Sequence, residues 1–166
     1  MDLIQNLALG FETALSPMNL MYCFFGALIG TFIGVLPGLG PTATVAMLLP
    51  VTYYLSPTAS LIMLAGIYYG SQYGGSTTAI LVNLPGEVSS SVTAIDGYQM
   101  ARKGQAGKAL SIAAIGSFCA GTFATLLIAL VAIPLASIAL MFGPAEYFAL
   151  ILLGLVTSSA LAHGSM

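Results

Sequence analysis

Two long stretches without a single charged residue constrain this chain more than any other feature. Residues 13–86 contain no Asp, Glu, Lys or Arg, and neither do residues 109–145. About 25% of the residues of an ordinary soluble domain are charged, whereas only 5% of these 166 residues are charged and 58% are hydrophobic. So few charges cannot cover the surface of a water-soluble protein, which excludes a soluble enzyme, a nucleic-acid-binding protein and a disordered chain. We therefore predict an integral membrane protein, or part of one.

The remaining reactive side chains are few. The net charge is −2, and the only basic residues are Arg102, Lys103 and Lys108, so no surface for a polyanion is expected. Cys23 and Cys119 lie in apolar runs without a CxxC motif, and we interpret them as small hydrophobic residues.

Motifs for catalysis or for a resident metal are also absent from the sequence. Residues 38–43 mimic the G-x-G-x-x-A fingerprint of dinucleotide sites, but no βαβ unit surrounds them. The single histidine, His163, belongs to no metal-binding spacing, and no serine lies in a G-x-S-x-G motif. We expect no enzyme, no catalytic residue and no cofactor.

Prolines, glycines and polar residues divide the chain into segments. Residues 1–16 have the hydrophobic period of a helix but are too polar to span a bilayer, so we predict an interfacial helix, with a frayed terminus as the alternative. The predicted membrane segments are residues 18–36, 41–55, 58–82, 109–133 and 145–162. The predicted fold is an all-α integral membrane protein with broken or re-entrant half-helices at its Pro-Gly motifs.

One polar segment, residues 83–108, contains all three basic residues, and the positive-inside rule predicts a cytoplasmic loop there. Its acids, Glu87 and Asp96, are expected to be solvated, with a proton relay as the alternative. Residues 41–55 are short and interrupted by Pro50, so they form either a kinked crossing or a re-entrant half-helix. Three crossings before the loop would place the N-terminus outside the cell, and two would place it inside.

The sharpest local feature is the segment Pro37-Gly38-Leu39-Gly40-Pro41, which follows a row of three glycines, Gly26, Gly30 and Gly34. Two prolines and two glycines in five residues end a helix, and Pro41 suits the first position of the next one. In a bilayer, irregular backbone persists only where it is buried in protein or lines a cavity. We therefore predict substrate or ion contacts from Gly38, Leu39, Gly40, Pro41 and Thr42, with a tight turn between packed helices as the alternative.

A second break is predicted at Gly74-Gly75, with Ser76 capping a new helical piece from Thr77 to Val82. The site residues predicted there are Tyr73, Gly74, Gly75, Ser76, Thr77 and, at the end of the segment, Asn83. Because no Lys or Arg lies in the predicted membrane segments, helix ends, a bound cation or residues outside this chain must neutralise an anion. Na⁺ held by backbone groups near Gly38 and Gly75 is one candidate for the bound cation. The alternative to a binding site at the second break is a purely structural kink.

Five motifs in this order resemble the signature of the large membrane subunit of tripartite tricarboxylate transporters, the TctA family. They are GVLPGLGPT at Gly34–Thr42, GIYYG at Gly66–Gly70, YGGS at Tyr73–Ser76, NLPG at Asn83–Gly86 and TAIDGY at Thr93–Tyr98. Their spacing matches the family, as does LALGF at Leu7–Phe11, so the resemblance covers essentially the whole chain.

The resemblance implies a multi-pass secondary transporter of the bacterial inner membrane that imports citrate-like or other carboxylates by symport with Na⁺ or H⁺. It also implies a small membrane subunit and a periplasmic substrate-binding protein as partners, and homo-oligomerisation is a further candidate. Members of the family are several-fold longer and carry a second Pro-Gly motif, so this chain resembles an N-terminal portion that supplies one side of the site. The alternative from the residues alone is a channel or a structural helix-packing subunit, which would show no dependence on a cation gradient.

Overall fold

The structure, a computed structural model, describes residues 3–162, and the only regular secondary structure within them is helical. The helices are α1 (Leu3–Ala14), α2 (Pro17–Gly34), α3 (Pro41–Leu48), a 3₁₀ helix (Leu49–Thr52), α4 (Pro57–Val82), α5 (Ser90–Arg102), α6 (Ala106–Ala139) and α7 (Pro144–Ala162). The prediction of an all-α fold is confirmed for this part of the chain, which contains no strand. His163 lies outside the described residues.

Proline begins four of these helices, because its fixed φ suits the first helical position and its missing N–H has no partner to lose there. α2, α3, α4 and α7 start at Pro17, Pro41, Pro57 and Pro144. Ser56 also caps α4, since its hydroxyl oxygen accepts the N–H of Ala59 at 3.3 Å. Local sequence therefore determines where these helices begin.

α2 and α4 pack together through two facing rows of buried glycines. The rows are Gly26, Gly30 and Gly34 on α2 and Gly66, Gly70 and Gly74 on α4. A β-carbon built on any of the six would overlap or press on a backbone carbonyl oxygen of the other helix. The absence of side chains therefore lets the two backbones touch, as at small-residue contacts between membrane helices.

The order of these contacts shows that α2 and α4 are parallel. Gly26 faces the backbone of Met63, whereas Gly34, two turns later, faces that of Ser71. Because both positions advance together, the N-terminal ends of the two helices lie at the same end of the packed unit.

The segment between α2 and α4 consequently runs back, antiparallel to both. Near the start of α3, the hydroxyl oxygens of Thr44 and Ser71 are 3.1 Å apart. At the end of the 3₁₀ helix, the carbonyl oxygen of Thr52 accepts the hydroxyl of Ser60 at 2.9 Å. From Thr44 to Thr52 the segment therefore moves toward the beginning of α4.

Two predicted segments differ from the structure. Residues 83–108 are not simply a loop, because they contain α5, which buries Ser90, Ala94 and Gly97. These small residues recur at helical spacing, so the helix contacts α4 without a large apolar face, and Gly97 lies directly on the side chain of Ile80.

The segment predicted for residues 109–133 belongs to a helix that continues through Pro134 to Ala139. A proline inside a helix removes one backbone hydrogen bond, but apolar helices of the membrane type tolerate it. By contrast, α7 begins at Pro144, one residue before the predicted start.

The chain divides into two compact units, Met1–Gly116 and Ser117–Met166, with the boundary inside α6. By length and composition, two stretches of the described residues suffice to cross a bilayer, Pro17–Gly34 and Ala106–Ala132. In the second unit no described side chain is buried, and about half of the exposed residues are large and apolar. Water is an unfavourable solvent for such a surface.

Candidate functional site

The turn between α2 and α3 has the irregular backbone that its sequence predicts. α2 ends at Gly34, and the N–H of Leu39 donates to the carbonyl of Leu36 at 3.3 Å. Gly38 has a φ of +85°, a left-handed conformation that side chains disfavour. Gly40 is extended and leads directly into Pro41, so the predicted break between two helices is confirmed.

The start of α3 faces this turn with free backbone donors. The first N–H groups of a helix have no acceptor within the helix, and Gly40 supplies no side-chain cap. Thr44 secures the position of α3, because its hydroxyl lies 3.1 Å from the Gly40 carbonyl and 3.1 Å from the Ser71 hydroxyl. Both Thr44 and Ser71 are fully buried, so this polar pair holds the beginning of α3 on the middle of α4.

A cavity of about 700 Å³ lies beside this turn. Its lining comes from three parts of the first unit: the α2–α3 turn, one face of α4 and the segment that follows α4. The lining residues are Gly38, Gly40, Pro41, Thr42, Tyr68, Gln72, Pro85, Gly86, Glu87, Val88, Ser89 and Ser91. This volume falls in the range of 300–1,000 Å³ that is usual for small-molecule sites.

The second predicted break is wrong, because α4 is continuous from Pro57 to Val82. Gly74 and Gly75 do not interrupt the helix. Gly74 contacts α2, with a built β-carbon overlapping the carbonyl oxygen of Thr31. Gly75 contacts Gly86, in the segment that follows α4, on a different face of the helix. Glycine in a helix costs only about 1 kcal/mol relative to alanine, so close contacts with two neighbouring segments suffice to explain the pair.

Because α4 is continuous, the backbone and hydroxyl groups around Gly74 and Gly75 form hydrogen bonds within the helix. Backbone N–H groups from Gly74 to Thr77 are inside the helix rather than at its start. The hydroxyl of Ser76 donates to the carbonyl of Gln72 at 3.1 Å, and that of Thr77 to Tyr73 at 2.9 Å. None of the residues from Tyr73 to Thr77 lines the cavity.

The residues predicted at the first break, and Asn83, differ in whether they line the cavity. Gly38, Gly40, Pro41 and Thr42 line the cavity together, whereas Leu39 is half-buried in the turn without lining it. Asn83 ends α4 in the left-handed conformation, with a φ of +58°. Asn is one of the few residues besides glycine that adopt this conformation readily.

After Asn83 the chain folds back along α4. The N–H of Gly86 points to the carbonyl of Gly75 at 3.5 Å. A β-carbon on Gly86 would lie 2.6 Å from the Cα of Gly75 and 3.0 Å from the carbonyl oxygen of Gly34. Two glycines in contact thus bring the returning segment against both helices.

This return places Glu87 between the two predicted breaks. Its Cβ lies 3.8 Å from the position that a β-carbon on Gly40 would take, and its Cγ lies 3.8 Å from that position on Gly75. Glu87 is the only Asp, Glu, Lys or Arg among the lining residues. No three His, Cys, Asp or Glu side chains of the described residues are grouped as a metal site.

Tyr68, Gln72, residues 85–89 and Ser91 line the cavity but were not among the predicted site residues. One signal was present: Gln72 is the only glutamine within the uncharged residues 13–86. Tyr68 lies one helical turn before it and therefore on the same face. The contribution of residues 85–91 depends on the chain reversal after Asn83 and has no equally local signal.

Comparison with known protein families matches residues 20–166 to the family described as tripartite tricarboxylate transporter TctA. A protein of Agrobacterium vitis, described as an uncharacterized 52.8 kDa protein in the TAR-I ttuC' 3' region, is 72% identical over all 166 residues of the chain. The chain spans about a third (33%) of that relative's length. No solved structure matches the chain at a significant level.

Proposed function

The chain belongs to the tripartite tricarboxylate transporter TctA family, and we propose that it forms the N-terminal part of the large membrane subunit of a secondary active carboxylate importer. In this proposal the transporter lies in the bacterial inner membrane, and a periplasmic binding protein delivers a tricarboxylate or related carboxylate to it. A small membrane subunit completes the transporter, and a Na⁺ or H⁺ gradient drives import. The rest of the longer protein supplies the other side of the substrate site.

The cavity at the α2–α3 turn carries this proposal. It combines the free N–H groups at the start of α3 with the hydroxyls of Thr42, Ser89 and Ser91 and the amide of Gln72. Helix starts attract anions because their N–H groups and the helix dipole both favour negative charge. A substrate carboxylate therefore binds at the turn through backbone donors, without an Arg or Lys from this chain.

The position of this open cavity along α4 supports a transport role. The 26 residues of α4 make it about 39 Å long, which by length alone is enough to cross a hydrocarbon core of about 30 Å. Of the described helices, only α2 and α6 have both the length and the apolar composition of a membrane span. The α2–α3 turn lies beside Ser71, near the middle of α4. A helix break near the membrane midplane is the usual place of substrate sites in secondary transporters.

Uptake by the complete transporter tests the function. Vesicles that contain the full-length large subunit, its small subunit and its binding protein are expected to accumulate labelled carboxylate only under an imposed Na⁺ or H⁺ gradient. Citrate, malate and succinate form the panel of probes, and vesicles without the large subunit are the control. Uptake that equilibrates but never exceeds the external concentration would favour the channel alternative instead.

The parallel arrangement of α2 and α4 makes a prediction about topology. Because α2 and α4 begin at the same end and only α4 continues to the polar segment, an odd number of net crossings separates α1 from that segment. With the basic residues in the cytoplasm, the N-terminal side is outside the cell. This holds whether α2 and α3 cross the bilayer fully or form a re-entrant pair.

Cysteine labelling checks this topology in a cysteine-free version of the full-length protein. A cysteine at Gln5, exposed on α1, is expected to react with an impermeant maleimide added to intact cells. A cysteine at Lys103, exposed after α5, is expected to react only after the membrane is permeabilised. Labelling of both from the same side would contradict the assignment.

A further inference from the structure

The backbone of Glu87 is held in place from two directions. The contact of Gly86 with Gly75 sets the depth of the returning segment. The hydroxyl of Ser90 accepts the N–H of Glu87 at 3.2 Å and donates to the carbonyl of the same residue at 2.9 Å. Ser90 is only 2% exposed. The backbone of Glu87 is therefore positioned by buried contacts, and the residue itself is half-buried.

These contacts place the Cβ and Cγ of Glu87 well inside the end of α4. Gly75 lies seven residues before Val82, the last residue of α4, which corresponds to about 10 Å along the helix axis. A charge at such a depth in a membrane protein is costly unless something compensates it, and by default it indicates a functional site.

No Lys or Arg of the described residues is placed to compensate Glu87. No Lys or Arg is among the residues that line the cavity, and Arg102, Lys103 and Lys108 are exposed. The charge also has the wrong sign for the proposed substrate, since two carboxylates at close range in a low dielectric repel each other strongly. An empty cavity with ionised Glu87 would therefore reject a carboxylate.

We propose that Glu87 binds the coupling cation, Na⁺ or a proton, and thereby makes carboxylate binding depend on that cation. This rests on the transport function proposed above. A cation at Glu87 removes the repulsion, so cation and substrate each raise the affinity for the other. In this proposal Glu87 supplies the cation contact that was expected from backbone groups near Gly38 and Gly75, and its side chain lies between Gly40 and Gly75.

Substitution of Glu87 by Gln tests the proposal in the full-length transporter with its partner subunits. The amide has nearly the shape of the carboxylate but carries no charge at any pH or Na⁺ concentration. In the wild type, we expect the affinity for the accumulated carboxylate to fall roughly tenfold or more when Na⁺ is removed or the pH raised. In E87Q we expect the same removal of Na⁺ or rise in pH to change the affinity for the carboxylate by less than about twofold. The variant should also lose accumulation driven by the gradient, but it should still exchange labelled for unlabelled substrate.

Separate Na⁺ and pH gradients identify which cation is bound, and Asp96→Asn is the matched control. Asp96 is exposed on α5 and does not line the cavity, so D96N removes the same charge and is expected to behave like the wild type. E87Q that still requires the cation, or that loses substrate binding altogether, would overturn the role of Glu87.

A wild type without gradient-dependent uptake would instead refute the transport function itself, so the two failures are distinguishable.

If E87Q does not reach the membrane, E87D tests the role of Glu87 in its place. It keeps the carboxylate but shortens its reach, so the cation concentration for half-maximal uptake should rise at least about threefold. An unchanged cation requirement in E87D would overturn the proposal.

Discussion

Replacing Gly40 by Leu in the complete transporter is expected to lower carboxylate uptake at least about a hundredfold while leaving membrane insertion intact. Gly40 lines the cavity at the start of α3. Its φ of −68° and ψ of 168° are accessible to any residue, so the substitution does not strain the backbone. The three carbon atoms of leucine beyond Cβ must extend into the space that the substrate is proposed to occupy.

Gly40→Ala is the matched control for this substitution. The only atom within 4 Å of a β-carbon at Gly40 is the Cβ of Glu87, at 3.8 Å, which is ordinary van der Waals contact. Alanine in place of glycine before α3 costs at most about 1 kcal/mol, so G40A is expected to retain most of the uptake. Gly38 offers no equally clean test, since its φ of +85° makes any side chain unfavourable there.

Initial uptake rates, divided by the amount of large subunit in the membrane, measure the effect. A strong loss in G40L with near-normal uptake in G40A would support the cavity as the substrate site. Normal uptake in G40L would contradict it, because a leucine side chain at this position would obstruct the backbone donors at the start of α3 that are proposed to hold the substrate.

The sequence predicted those features of the site that depend on local chemistry. The helix end before Pro37, the helix start at Pro41 and the capped start of α4 at Ser56-Pro57 all follow from properties of proline, glycine and serine within a few residues. For the same reason, four of the five residues predicted in the first break line the cavity.

Features that depend on tertiary contacts were not predictable in this way. Gly74-Gly75 has the composition of a break, yet α2 and the returning segment contact the two residues on different faces, and the helix continues. α5 escaped prediction because its buried face consists of Ser90, Ala94 and Gly97, which a hydrophobic period does not reveal. The side chain of Glu87 likewise gained its position only through the contact between Gly75 and Gly86.

The glycine rows lead to the second large effect, on stability. Gly30→Ala is expected to destabilise the transporter by about 3 kcal/mol, at the upper end of the cost of overpacking. A β-carbon at Gly30 would overlap the carbonyl oxygen of Ile67 and lie 2.8 Å from the Cα of that residue. Both atoms belong to the backbone of α4, so no side chain can rotate away and the two helices must separate.

Gly10→Ala is the control with the opposite expected sign. Gly10 lies within α1 and has no heavy atom within 4 Å of a built β-carbon. Alanine there gains up to about 1 kcal/mol of helix propensity without a steric cost. Thermal unfolding of the purified full-length protein in detergent is therefore expected to shift down for G30A and slightly up for G10A. Equal shifts would contradict close backbone contact at Gly30.

A double variant separates this contact from a general intolerance of α2 to substitution. Gly70→Ala alone is expected to destabilise by a similar amount, because its β-carbon would overlap the carbonyl oxygen of Ala27 on the other helix. Once the helices have separated to accommodate alanine at Gly30, the same separation accommodates alanine at Gly70. The double variant should therefore lose clearly less stability than the sum of the two single losses, whereas Gly30→Ala and Gly10→Ala should add. Additive losses for the pair at Gly30 and Gly70 would mean that the two glycines do not share one interface between parallel helices.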